Sequence, residues 1–437
     1  LFQNPNDTRV MTMPRLFLLA LTIFLLAEGL TMGSSEDPSK LPHDLAIRVQ
    51  RDIEKYRKSD AQILVRDARG KPVEGASVLA KQISHDFLFG CNIFRLDNLP
   101  TEEQNEQYKA LFKRLLNYAT LPFYWASFES EKGRPNHERL EKMARWCKEN
   151  GITTKGHPLV WTHPAGVPKW LDESDPVQVK HLLEMRVSET VSRYKGLVDI
   201  WDVVNESTHT RTFAGLSMYD YTALPFVWAR KANQDATLIV NEFGVIGPNG
   251  GDQKYFDLLS QMKANKVPFD AIGIQTHMHR GPLPLRQILE TLDRYAKLGK
   301  PIHFTETTFL SGGKETTPEG EKKQAEYVEQ FYRTCFSHPS VKAITWWDFS
   351  DAGAWQGVAA GLVRKDMTPK PAYLVLDRLI NKEWRTTAEG VTDSTGTFSF
   401  RGFHGIYRVT VSDKSGKSKT VEFHISEKGH NTITVRL

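Results

Sequence analysis

Two stretches of this 437-residue chain end an apolar run on a carboxylate. Asp199-Ile-Trp-Asp-Val-Val-Asn-Glu206 closes on an amide and an acid, and Ile302-His-Phe-Thr-Glu306 closes on an acid. Cleaving a glycosidic bond takes two carboxyl groups, one to protonate the leaving oxygen and one on the other side of the anomeric carbon. A single Glu where a strand meets a loop is usually a solvated charge. Two of them beside further polar strand ends point to chemistry. Those ends are Gly156-His157-Pro-Leu-Val-Trp161, Gln275-Thr-His277 and Trp347-Asp-Phe-Ser-Asp-Ala-Gly-Ala-Trp355. Amides and imidazoles bind hydroxyls, and indoles stack on pyranose faces. His157, His163 and His277 are also metal-ligand types, but no i, i+4 pair with a nearby acid accompanies them. Cys91, Cys147 and Cys335 are far apart and lack zinc-site spacing. No metal, cofactor or disulfide framework is expected.

Residues this far apart meet only if the chain returns repeatedly to one place. From about residue 86, short apolar runs alternate with segments of helical period: 87–93, 117–121, 153–160, 198–204, 237–241, 271–275, 301–305 and 343–347. Eight such units predict an α/β fold, a (β/α)₈ TIM barrel over 86–384, whose strands share one mouth at their carboxyl ends. Before it, Asp44 caps a predicted helix over 43–60 in which Leu45, Val49, Ile53 and Tyr56 share a face. Residues 61–85 read as two strands, 62–65 and 76–80, around a Gly- and Pro-containing turn. Beyond 384, alternation at 397–400, 407–411, 420–423 and 432–435 predicts antiparallel strands over 385–437. Each β segment alone is too small to bury both faces. Together they are expected to form one small accessory β-sandwich on the side of the barrel away from Glu206.

Lys and Arg number 57 against 52 Asp and Glu, with no run of like charge such as marks a nucleic-acid arm, so no nucleic-acid partner is expected. Near the start, Met13-Pro14-Arg15 precedes an apolar run over 16–27 and small polar residues at 31–35. That is the pattern of a secretory signal, which sets 1–33 aside and predicts a secreted or periplasmic protein without a membrane anchor after signal removal. Leu1 to Val10 do not fit a signal's first region, so translation is expected to start at Met11 or Met13. Nothing in the sequence speaks to oligomeric state.

Trp201-Asp-Val-Val-Asn-Glu206, Gly156-His-Pro-Leu-Val-Trp161, Gln275-Thr-His277, Thr305-Glu306 and the 347–355 stretch followed by Pro369-Lys-Pro-Ala-Tyr373 resemble, in order, the motif series of glycoside hydrolase family 10. The likeness covers roughly 86–380. It implies an endo-acting, retaining β-1,4-xylanase with a polysaccharide partner, xylan or a related plant glycan. By motif position Glu206 is then the acid/base, Asn205 the contact to the sugar 2-hydroxyl, and Glu306 the nucleophile, oriented by His277. His157, Trp161, Gln275, Trp347 and Trp355 are then substrate-binding. The two β segments resemble halves of a transthyretin-like or carboxypeptidase-regulatory-like module. Two departures stand out. Where the family presents Glu-Asn and a Lys, this chain reads Thr120-Leu-Pro-Phe-Tyr-Trp125, so sugar contact there is expected to rest on Tyr124 or Trp125; and Thr162-His-Pro-Ala-Gly-Val-Pro168 replaces the usual His and Gln. These leave another β-linked glycan or a decorated oligosaccharide open as substrate. A non-catalytic glycan-binding barrel is the remaining reading, and the presence of both glutamates stands against it.

Overall fold

The computed structural model of the protein describes Asp37 and residues 40–437. The signal-like stretch at 1–33 lies outside the described residues. Helix His43–Arg57 comes first, with Val49 and Ile53 buried. Its N-cap is Pro42 and no side chain caps it; Asp44 sits instead in the first turn, where a negative charge suits the helix dipole. Arg57, the last residue of this helix, is buried and donates to the main-chain oxygens of Phe336, His338 and Val341. Because Arg57 is thus fixed, the chain turns directly into a strand at Lys58.

Strands β1 (Lys58–Arg66) and β2 (Ser77–Gln82) precede eight parallel strands. These are β3 (Leu88–Asn92), β4 (Tyr118–Pro122), β5 (Thr153–His157), β6 (Ile200–Asn205), β7 (Thr237–Glu242), β8 (Ala271–His277), β9 (Ile302–Thr308) and β10 (Val341–Trp346). They close in sequence order into a barrel, β10 pairing with β3. Their residues are buried almost throughout, as strands covered on both faces must be. Helices return the chain between them, and Thr101, Asn136, Asp175, Ser217, Asp252 and Thr317 each accept a first-turn N–H at a helix start.

After the barrel come β11 (Thr387–Val391), β12 (Thr397–Phe403), β13 (Gly405–Ser412), β14 (Ser418–Ile425) and β15 (Thr432–Arg436). β1 lies between β12 and β15, and β2 between β11 and β13, with β14 outside β13. Strands from the two sides of the barrel therefore complete each other's sheets. Ile63, Val65, Val78, Ala80, Val409, Val411 and Ile425 form their shared core, each on the buried phase of an alternating strand. The sandwich meets the barrel at the amino ends of its strands: Lys342, next to the start of β10, pairs with Glu427, and Asp86, just before β3, pairs with His424. Glu206 and Glu306 lie toward the opposite, carboxyl ends.

Candidate active site

Glu306 owes its position to an irregularity in β9. Phe304 pairs with Ile274 and Ile344, but Glu306 then pairs with Gln275 and Thr307 with Trp346, so β9 holds one residue more than either neighbour. Alternation would send Thr305 and Glu306 to opposite faces. The bulge lets both reach inward to one amide: the Thr305 hydroxyl donates to Asn241 Oδ1, and Asn241 Nδ2 donates to Glu306 Oε1 at 2.8 Å. A similar extra residue on β6, between Asp202 and Val204, lets Asp202 and Asn205 both face inward. Just past that strand Glu206 adopts φ 60°, in the left-handed region. That conformation costs a non-glycine residue about 1 to 3 kcal/mol. It is held by the Glu206 N–H donating to Asn241 O at 2.8 Å and by the N–H of Thr210 donating back to Glu206 O at 3.0 Å.

Two amides join the carboxylates. Asn205 Nδ2 donates to Glu206 Oε1 at 3.0 Å, while Asn205 Oδ1 accepts from Asn241 Nδ2 at 2.7 Å and from Gln275 Nε2 at 3.2 Å. Gln275 also donates to Glu206 Oε1 at 3.2 Å, and the Trp161 indole N–H to Oε2 at 3.0 Å. Trp161 thus turns its edge to the acid, and its face stacks on His163 at 4.2 Å. His277 Nε2 lies 3.2 Å from Glu306 Oε2, and its Nδ1 lies 2.7 Å from the Thr308 hydroxyl. His157 Nε2 is 3.7 Å from Glu306 Oε1, with its Nδ1 at 2.8 Å from Asp202, which also pairs with the fully buried Lys155 at 2.6 Å.

These surroundings drive the two acids apart. Burial first, then the charge of Glu306, raises Glu206 to about 7, against the hydrogen bonds from Gln275 and Trp161. Glu306 goes the other way. Burial alone would raise it, but the positive field of His157, the hydrogen bond and charge of His277, and Lys155 hold it at about 2. Near neutral pH one carboxyl keeps its proton while its neighbour is an anion, the division of labour an acid and a nucleophile require.

Aromatic groups wall the mouth. Trp347 is buried, edge-on to His157 (5.4 Å), His277 (5.9 Å) and Phe94 (5.6 Å). Trp355, 44% exposed, leans over His277 at 4.6 Å. Tyr124 packs edge-on to His157 at 5.4 Å, whereas Trp125 is only 2% exposed and donates its N–H to Glu129 at 2.8 Å. Of that pair Tyr124 alone borders the site; Trp125 belongs to the core behind it. Glu206, Glu306, Asn205, His277, His157, Trp161, Gln275, Trp347, Trp355 and Tyr124 fall at this mouth, and Trp125, the other expected sugar contact, does not. Asn241, Thr305, Asp202, Lys155 and Thr308 were not singled out, although the fifth apolar run ends on Asn241-Glu242, the same polar strand-end signal that marked the others. Among the described residues no group of three or more His, Cys, Asp or Glu side chains is arranged to hold a metal ion, and no helix is long and apolar enough to cross a membrane.

Fold and site together define a (β/α)₈ barrel carrying a carboxylate pair, split in protonation, at its strand ends. The chain belongs to glycosyl hydrolase family 10, whose model matches residues 79–378. It is similar to the anti-sigma-I factor RsgI6 of Acetivibrio thermocellus, 32% identical over 373 residues that make up 84% of this chain and 46% of that protein. Endo-1,4-beta-xylanase 1 of Arabidopsis thaliana is 27% identical over 95% of this chain and 42% of its own length. The chain spans less than half of either. Endo-1,4-beta-xylanase B of Thermotoga neapolitana is 30% identical over 64% of this chain and 84% of its own. Among solved structures, native xylanase 10B from Thermotoga maritima superposes with a TM-score of 0.60 at 29% identity, over 68% of this chain and 96% of the other. Xylanase 10B from Thermotoga petrophila RKU-1, in complex with xylobiose, gives 0.59 at 29% identity over 68% and 95%.

Proposed function

We propose that the protein is a retaining endo-1,4-β-xylanase in which Glu206 is the acid/base and Glu306 the nucleophile. The observation that carries this is two carboxyl groups brought to one mouth in opposite surroundings: Glu206 half-buried beside Trp161 and Gln275 and raised to about 7, and Glu306 set against Asn241, His277 and His157 and held low. Glu206 protonates the glycosidic oxygen as Glu306 attacks the anomeric carbon, giving a covalent glycosyl-enzyme. Once Glu306 is esterified its charge is gone, and Glu206, now a stronger acid, is the anion that takes a proton from the incoming water. Asn205 faces the sugar 2-hydroxyl, His277 orients Glu306, and His157, Trp161, Gln275, Trp347, Trp355 and Tyr124 border the sugar.

The xylanase names of several relatives support xylan as substrate. The Thr120-to-Trp125 departure favours, as the second reading, another β-linked glycan or a decorated oligosaccharide split by the same chemistry. The signal-like N-terminal stretch supports action outside the cell or in the periplasm, where such a polymer is met. Proton NMR of xylohexaose during hydrolysis tests the reading: internal cleavage with the β-anomer appearing first is expected. An α-anomer first would refute retention, and mixed-linkage glucan cleaved faster than xylan would move the assignment to the second reading.

A further inference from the structure

The loops that follow β4 and β5, together with helix Pro176–Arg193, enclose a groove of about 690 Å³ on the flank of the barrel. Its size falls within the ~300 to 1,000 Å³ common for small-molecule sites. Trp170 and Trp125 line it, edge to face at 5.6 Å, and each indole N–H is anchored to Glu129, Trp170 to its main-chain oxygen at 2.7 Å. Trp125 is the buried ring of the two; Trp170, half-buried and fixed by its N–H, offers a flat face without an ordering cost, as a sugar platform requires.

The charges beside these rings are unusual. Arg186 lines the groove yet is only 5% exposed. It donates to the Thr190 hydroxyl at 3.0 Å and to Phe123 O, and lies over the Phe128 ring at 4.5 Å. Its Nε has no partner, and the carboxylate whose charge acts on it is Glu129. Glu129, on the same groove, already spends its two oxygens on Trp125 and on the Gly133 N–H. Burial pulls Arg186 down to about 9, which leaves it cationic at neutral pH. Lys132 stands 5.8 Å from the Trp170 ring. Glu189, also lining the groove, is exposed. Burying a cation is costly unless its charge and its donors are met; here Glu129 acts on Arg186 only through its charge, and Nε is left open to a further acceptor.

We propose that this groove is a second carbohydrate site, one that takes a sugar bearing a carboxylate: a uronate residue on the polysaccharide stacks on Trp170 and meets Lys132 and the field of Arg186. Tyr124 at the mouth and Trp125 at the back of the groove are consecutive, so one loop contributes to both places. The choice of a glycan as occupant rests on the function proposed above; the open Nε donor of Arg186 does not.

The test uses the full chain in a Glu306→Gln background, titrated calorimetrically with xylotriose carrying one glucuronosyl branch and with unbranched xylotriose. The branched sugar is expected to fill two sites and the unbranched sugar one. Lys132→Glu, an exposed change, and Trp170→Ala are each expected to weaken only the second site by tenfold or more, with melting temperatures reported alongside. Arg186→Gln should do the same where it folds. One-site binding of the branched sugar, equal affinity of the second site for both sugars, or no response to Lys132→Glu would overturn the proposal. If Glu306→Gln still cleaves xylan at the wild-type rate while the second site persists, the catalytic assignment fails and the groove stands. Lost cleavage without a second site has the opposite meaning.

Discussion

Asn241 carries a sharp prediction because, among the described residues, it alone is bonded both to Glu306 and to Asn205, an amide that holds Glu206. Asn241→Ala removes the 2.8 Å donor to Glu306, leaves Asn205 Oδ1 with Gln275 as its remaining donor, and takes the acceptor from the Thr305 hydroxyl. A hydrogen bond to a charged group contributes about 1.5 to 3 kcal/mol, which converts to a loss in kcat/KM of roughly 10- to 150-fold if it holds the nucleophile in its reactive position. The same energy, at about 1.4 kcal/mol per pH unit, lifts the Glu306 titration by about one to two units. His157, His277 and Lys155 still hold it down, so the acid limb should rise from near 2 yet remain below an ordinary glutamate. The assay is kcat/KM on an aryl xylobioside from pH 3 to 9, with circular-dichroism melting to confirm the fold. A folded variant within threefold of wild type, with its acid limb unmoved, would show that the amide does not govern Glu306.

Glu206→Ala should lose polymer hydrolysis but regain turnover of an activated aryl glycoside with azide, giving a β-azide, because Glu306 still forms the intermediate; an α-azide would contradict the assignment. The raised titration of Glu206 also makes a stability prediction. Its folded value of about 7 lies above an unfolded value near 4.3, so the fold is stabilised with the group protonated and loses that contribution as pH rises from about 4.3 through about 7. Glu206→Gln, always neutral, should therefore gain in melting temperature over wild type at pH 8 and lose most of that gain at pH 5; an equal gain at both would refute the link. Tyr124→Ala is expected to lower kcat/KM on xylo-oligosaccharides with little change in stability, whereas Trp125→Ala, at a 2% exposed site, should cost about 3 to 5 kcal/mol of stability. The reverse pattern would move Trp125 into the site.

The barrel was legible because eight buried strands write their own pattern, apolar runs that stop on polar residues, and the catalytic pair because both glutamates stand at such stops. What local pattern conceals is set by neighbours. The bulge that turns Glu306 inward exists only in its register against β8 and β10. Lys155 and Asp202 look like surface charges until barrel closure buries them as a pair. Asn241 stands at a strand end like the others, but it lies in none of the stretches that carry the family resemblance. β11, with Gly390 in a five-residue strand, has too little apolar alternation to be read; pairing with β2 makes it a strand. Asp44 had the chemistry of a cap, but the helix starts one residue earlier.

The sandwich also bears on biosynthesis. β1 and β2 leave the ribosome early, but the strands that flank them, β11 to β13 and β15, are translated only after roughly 300 further residues. Until then, both early strands present open hydrogen-bonding edges and an uncovered Ile63, Val65 and Val78, groups that invite pairing with a neighbouring nascent chain. The barrel between them can close first, and only its completion brings the late strands within reach. Making this protein therefore has a vulnerable interval as long as the synthesis of its own catalytic domain, and slow translation or crowded polysomes should lower its yield more than its finished stability would suggest.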